Sequence, residues 1–134
     1  MTVNNLSRYA PTALAVLRIV VALLFIAHGT QKLFGFPASS FPMGEGGLPP
    51  MMLVAALLEV VGGLLILVGF FTRPVAFVLA GEMAVAYWMA HAPASFFPIN
   101  NGGEAAVLFC FAFLYFLFAG PGTLSIDHAR GRAA

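Results

Sequence analysis

Four apolar stretches, each near the length of a membrane-crossing helix and parted only by short breaks rich in Pro and Gly, take up most of the 134-residue chain. About 20 apolar helical residues cross a hydrocarbon core of about 30 Å. The first stretch runs roughly from Thr12 to Phe34, with Pro11 suited to a helix start and Gly35-Phe36-Pro37 to its end. The second runs roughly from Pro50 to Phe71 and the third from Pro74 to His91, before Pro93. Thr72-Arg73-Pro74 leaves so little chain between these two that they are expected to form an antiparallel hairpin. The fourth runs roughly from Glu104 to Ala119 and is stopped by Gly120-Pro121-Gly122. No strict alternation of polar and apolar residues is present, which excludes a membrane β-barrel. The expected fold is a single-domain, all-α membrane protein: an antiparallel bundle of four transmembrane helices over residues 1–134.

Composition closes the alternative of a soluble domain. Hydrophobic residues make up 61% of the chain and charged residues 8%, too few to cover a body this small with water-facing side chains, so most of the exterior must face lipid. The net charge of +1 and the lack of a basic tract exclude a nucleic-acid partner. Cys110 is the single cysteine, so an internal disulfide, a CxxC redox pair and a cysteine-ligated zinc or iron–sulfur site are all excluded. Within the fourth helix it is expected to be an inert packing thiol, and a membrane-impermeant maleimide should fail to label it. Arg8 ahead of an apolar run raises a secretory signal. The run is longer than a signal core, contains Arg18 and lacks a clean cleavage site, so it is read as a retained helix.

Orientation follows from Lys and Arg near the helix ends, because short basic loops stay cytoplasmic. Arg8, Arg73, Arg130 and Arg132 fall on one side and Lys32 alone on the other. Both termini and the Arg73 turn are expected inside, in a multi-pass protein of the cell (inner) membrane. The loops 35–49 and 92–103 are expected outside, lying on the bundle or in the interface.

Ionisable groups at mid-membrane cost about 2.5–3.5 kcal/mol unless they find partners, which singles out Arg18, Glu59 and Glu82. At a rise of about 1.5 Å per residue from Pro11, Phe71 and Pro74, Arg18 lies at about 10 Å, Glu82 at about 12 Å and Glu59 at about 18 Å. These depths predict one buried network of a cation and two carboxylates, in which one glutamate carries an exchangeable proton. The same pattern also serves a purely structural pin of helix register. Ala55, Glu59 and Gly63 share a face beside Gly62, a small-residue stripe that turns Glu59 towards protein.

His28, Lys32, His91 and Glu104 fall within about one turn of the outer interface and form a candidate outer mouth. Lys32 shares the Arg18 face, and His28 lies about 80° from it. His91 sits about 180° from Glu82 on a straight helix and so faces away from the network. A bis-histidine haem is disfavoured for that reason, and no metal site is expected. Met51, Met52 and Met89 read as packing side chains.

Several stretches together resemble the DoxX family of small four-helix membrane proteins: Leu17-Arg18-Ile19, Phe25-Ile26-Ala27-His28-Gly29, Gln31-Lys32-Leu33, Glu59-Val60-Val61-Gly62-Gly63, Leu67 to Pro74, and the ending Leu124-Ser125-Ile126-Asp127. Arg18, Glu59 and Arg73 are the family-like positions, while Glu82, His91 and Glu104 rest on the residues alone. The resemblance implies a subunit or accessory of a membrane oxidoreductase or quinone-linked system, meeting a quinone-sized or small anionic molecule beside Arg18 and the glutamates. It implies redox-enzyme subunits as partners; apart from the resemblance, four short helices enclose so little volume that a transporter built on them is expected to work as a homo-oligomer. No redox-cofactor ligand set is legible, so electrons would belong to a partner. A small proton-coupled transporter or permease and a structural assembly factor fit the same residues.

Overall fold

The computed structural model describes residues 3–39 and 47–131, and among these every regular element is helical. Two short turns, Val3–Asn5 and Ser7–Tyr9, lead into α1 (Ala10–Phe34). α2 spans Pro50–Val68, and α3 spans Thr72–Ala86 and is continued by a π-helical turn, Tyr87–His91. A single turn, α4 (Pro98–Asn101), precedes α5 (Glu104–Ala119), and another, α6 (Ile126–Ala129), follows it. Ser7–Phe34 and Pro50–Val68 are long and apolar enough to cross a membrane. The tip of the first long loop, residues 40–46, and Arg132 lie outside the described residues.

α1 packs chiefly on α2, and α3 on α5. Phe25 ties the two pairs together, meeting Phe109 and Phe113 edge-on at 5.2 and 4.8 Å. The opposite faces present Leu23, Leu24, Val61, Phe77, Phe111 and Phe118 outward, an apolar exterior that only lipid can cover at this extent. Small residues set the α1–α2 distance. A Cβ at Gly29 would lie 2.9 Å from the Ala56 carbonyl oxygen and from the Glu59 Cβ, and one at Gly63 would lie 2.5 Å from Ile26. Both positions therefore need glycine for the helices to approach this closely.

The same contacts give the register of the antiparallel pair. Gly29 is level with Glu59 and Ile26 with Gly63, so Phe71 falls level with about residue 17 of α1. α1 thus runs on past the hairpin by roughly six residues, or ~9 Å. The C-terminal segment fills the space under this overhang: Gly122 lies against Pro11 and Ala15, and the Thr123 amide donates to the Pro11 carbonyl at 3.2 Å.

The hairpin turn, residues 69–71, lies two to three residues earlier in the chain than expected from sequence. α2 ends at Val68 on a left-handed Gly69 (φ +67°), where only glycine is unstrained. α3 already starts at Thr72, because the Asp127 carboxylate accepts from the Phe71 and Thr72 amides at 3.1 and 2.9 Å. Free amides at a helix start need such an acceptor, and here it comes from the far end of the chain. Pro74 then sits in the first turn, where its missing N–H is no loss.

Candidate functional site

The charged residues form two clusters at opposite ends of the bundle, not the single network that depth counting predicts. At the end carrying the hairpin turn, Arg18 is fully buried and its guanidinium donates to the carbonyls of Pro121, Thr123 (3.2 Å) and Leu124 (2.7 Å). These carbonyls lie in a non-helical stretch and have no intrahelical donors, so a planar group with five N–H bonds can serve several at once. Arg73 does the same for the end of α5, donating to Leu117 and Phe118 carbonyls at 2.8 Å each. Arg18 thus ties the C-terminal segment to α1 and Asp127 ties it to the start of α3, while Arg73 joins α3 to the end of α5. Arg18 therefore takes backbone partners here, where sequence reasoning expected Glu59 and Glu82. Depth counting placed it wrongly because it took Pro11 and Phe71 as level, and the overhang of α1 separates them.

The second cluster lies towards the other end. Lys32 donates to both Glu59 carboxylate oxygens at 2.8 and 2.7 Å, with Glu59 almost completely buried. Two cavities meet at this pair. The larger, about 480 Å³, lies between α2 and α3; Glu59, Lys32, Glu82 and His91 give its polar groups, and Met51, Val78 and Val85 belong to its apolar wall. Gly81 also lines it, and a Cβ added there would meet nothing within 4 Å. Both Glu82 carboxyl oxygens are shielded from solvent and lack a hydrogen-bond partner among the described residues. The smaller cavity, about 150 Å³, is bounded by α1, α3 and α5 and shares Lys32, Glu59, Ala86 and His91 with the larger one. Its volume is below the roughly 300–1,000 Å³ of ligand and cofactor pockets.

His91 joins this cluster against expectation. A π turn closes i to i+5 in place of i to i+4 and so inserts about one residue, rotating the chain beyond it by roughly 100°. The turn at Tyr87–His91 swings His91 from the far side of α3 to the cavity wall that Glu82 also lines. Its Nδ1 lies 3.1 Å from the Asn101 carbonyl oxygen. His28 lines the smaller cavity, with Nδ1 2.9 Å from the Leu24 carbonyl oxygen and its ring edge-on to Phe109. Glu104 is exposed in the first turn of α5 and lines neither cavity. Among the described residues no group of three or more His, Cys, Asp or Glu side chains is placed to hold a metal ion.

Sequence reasoning missed the Lys32–Glu59 pair and the capping role of Asp127. The first was within reach: Gly29 and the small stripe Ala55, Gly62 and Gly63 mark where α1 and α2 touch, and pairing them in antiparallel order puts Lys32 beside Glu59. Nothing local to Asp127 signals a helix 55 residues away.

A protein of Haemophilus influenzae described as uncharacterized is 50% identical over 129 residues, covering 93% of this chain and 96% of its own length. The Inner membrane protein YphA of Escherichia coli is 35% identical over 127 residues, 87% of this chain and 89% of that protein. A Bacillus subtilis protein named "Putative oxidoreductase CatD" is 35% identical over 65 residues, 48% of each chain. No solved structure matches. The family profile described as DoxX matches residues 13–92, which carry all but the first three residues of α1, together with α2, α3 and the π turn. With that match and relatives along nearly its whole length, the chain belongs to the DoxX family of membrane proteins.

Proposed function

We propose that this chain is a four-span protein of the inner membrane that admits a lipid-soluble molecule with a polar head, of the quinone class, between α2 and α3, and serves a membrane redox system as a subunit or accessory. The larger cavity carries this reading. It has apolar walls on two lipid-facing helices and a polar end made by Lys32, Glu59, Glu82 and His91. Lys32 could donate to a carbonyl oxygen and Glu82 accept from a hydroxyl, so the residues fit either form of such a head group. A quinone would supply the redox chemistry, and electrons would come from a partner's cofactor. The name of the Bacillus subtilis relative supports a redox setting.

Gly81 allows a direct test. A Cβ added there meets nothing within 4 Å and the cavity of about 480 Å³ lies beyond it, and replacing a helical glycine restricts the unfolded chain. Gly81→Leu should therefore leave the thermal midpoint unchanged or raised while cutting labelling by a photoactivatable ubiquinone analogue at least tenfold. Labelling that is equal in wild type and Gly81→Leu would overturn the reading.

Four spans require α3 with its π turn, and α5, to cross as well. Pro11 at the start of α1 lies against Gly122 just past α5, which supports an even number of crossings between them, and the basic residues favour the cytoplasm for that side. Reporter fusions after Arg132, in the Arg73 turn and near Gly46 should read inside, inside and outside. An outside signal from the C-terminal fusion would refute four spans.

A further inference from the structure

Lys32 and Glu59 stand where the cavities meet and Glu82 lines the larger one beside them, so one ammonium serves two carboxylates and the cluster is one negative charge from neutrality. In surroundings of low dielectric such a charge is costly, and a single proton removes it. The smaller cavity offers that proton a route. It lies at the end of the bundle away from the termini, where Gly102, next to α4, forms part of its wall. Its volume of about 150 Å³ holds several waters, each needing roughly 10–15 Å³ of such space.

We propose that the smaller cavity is a proton-exchange vestibule, in which His91 Nε2 passes a proton between water at the α4 end of the bundle and the Glu59–Glu82 pair. A carbonyl oxygen only accepts, so the contact with Asn101 puts the imidazole hydrogen on Nδ1 and leaves the Nε2 lone pair as an acceptor. In the inward step Nε2 takes a proton from hydronium in the water at the α4 end, leaving a water molecule, and the ring becomes imidazolium, still donating from Nδ1 to Asn101. Nε2 then gives that proton, through water in the cavity, to a glutamate carboxylate, and the ring returns to its neutral form. One proton enters and one carboxylate becomes a carboxylic acid.

The titratable groups facing His91 along this path come from three helices. α1 supplies His28 and Lys32, α2 supplies Glu59 and α3 supplies Glu82, while α5 contributes only Ala105, Ala106 and Phe109 to the wall. His28, held through Nδ1 in the same way, stands at the vestibule as a second acceptor. The π turn has a purpose in this arrangement, since it aims His91 at both cavities.

The inference uses the same polar cluster as the quinone reading but needs no ligand in the larger cavity, so either can fail alone. Infrared spectra of the protein in lipid vesicles, with no quinone added, should contain a carboxylic C=O band that disappears in Glu82→Gln or Glu59→Gln. On transfer to D2O this band should shift at least tenfold more slowly in His91→Phe, which removes the acceptor. It should slow equally in Ala105→Phe, which plugs the vestibule from an exposed position. Should His91→Phe fail to keep its helical circular dichroism, His91→Gln takes its place, since its amide can still donate to Asn101. Wild-type exchange rates in both variants, slowing in only one, or no band lost in either glutamine variant would each overturn the proposal.

Discussion

Arg18→Met should destabilise the protein in detergent by about 3–5 kcal/mol, the range for losing one side of a buried charged contact. Three carbonyls would lose a charged donor, each such bond contributing about 1.5–3 kcal/mol, and the C-terminal segment would be released from under α1. The expected signs are a lowered unfolding midpoint and rapid proteolysis after Gly120, with the remaining helices protected. Arg18→Lys should recover only part of the loss, because an ammonium cannot span three acceptors as a guanidinium does. The double variant Arg18→Met with Glu82→Gln should be additive within about 0.5 kcal/mol, as distant residues without shared partners are. Coupling beyond that would mean that Arg18 reaches the glutamates after all.

The second large effect is expected at Lys32. Lys32→Met leaves Glu59 buried without its cation, in a cavity that Glu82 already lines. A loss of about 2 kcal/mol is expected, with Glu59→Gln alone losing a similar amount because it breaks the one hydrogen-bonded ion pair of the cluster. The double variant should lose less than the sum by at least ~1 kcal/mol, above the ~0.6 kcal/mol average for polar pairs inside membranes. A cycle that closes to zero would show that Lys32 instead reaches the interface and leaves Glu59 unpaired. The two cycles together separate the clusters, since only the Lys32–Glu59 pair should couple.

Much of this could be read from residue type and order. The four apolar stretches, the scarcity of charge and the Pro and Gly breaks gave helices in nearly the observed places, and the α5 bounds coincide with the expected ones. Charge in an apolar stretch marked Arg18, Glu59 and Glu82 as residues that must find partners, and His28, Lys32 and His91 as an adjoining set. These are local properties, decided by the period of a helix and by the energy of a charge in hydrocarbon.

Partner choice was not local. Arg18 was expected beside the glutamates because depth was counted from helix ends, yet α1 overhangs the hairpin and the register is decided by Gly29 and Gly63 meeting the facing helix. His91 was expected to face away because a straight helix advances 100° per residue, whereas the π turn resets its direction. Asp127 caps a helix that begins 55 residues earlier, through contacts made only once the chain has folded back. Residue order alone makes this a helical membrane protein whose few charges must be paired inside it. That Arg18 holds the C-terminal segment while Lys32 holds Glu59 is an outcome of packing. Helix formation depends on each residue and its near neighbours, whereas the level at which two helices meet depends on small residues in both, and the charges take whichever partners that level brings within reach.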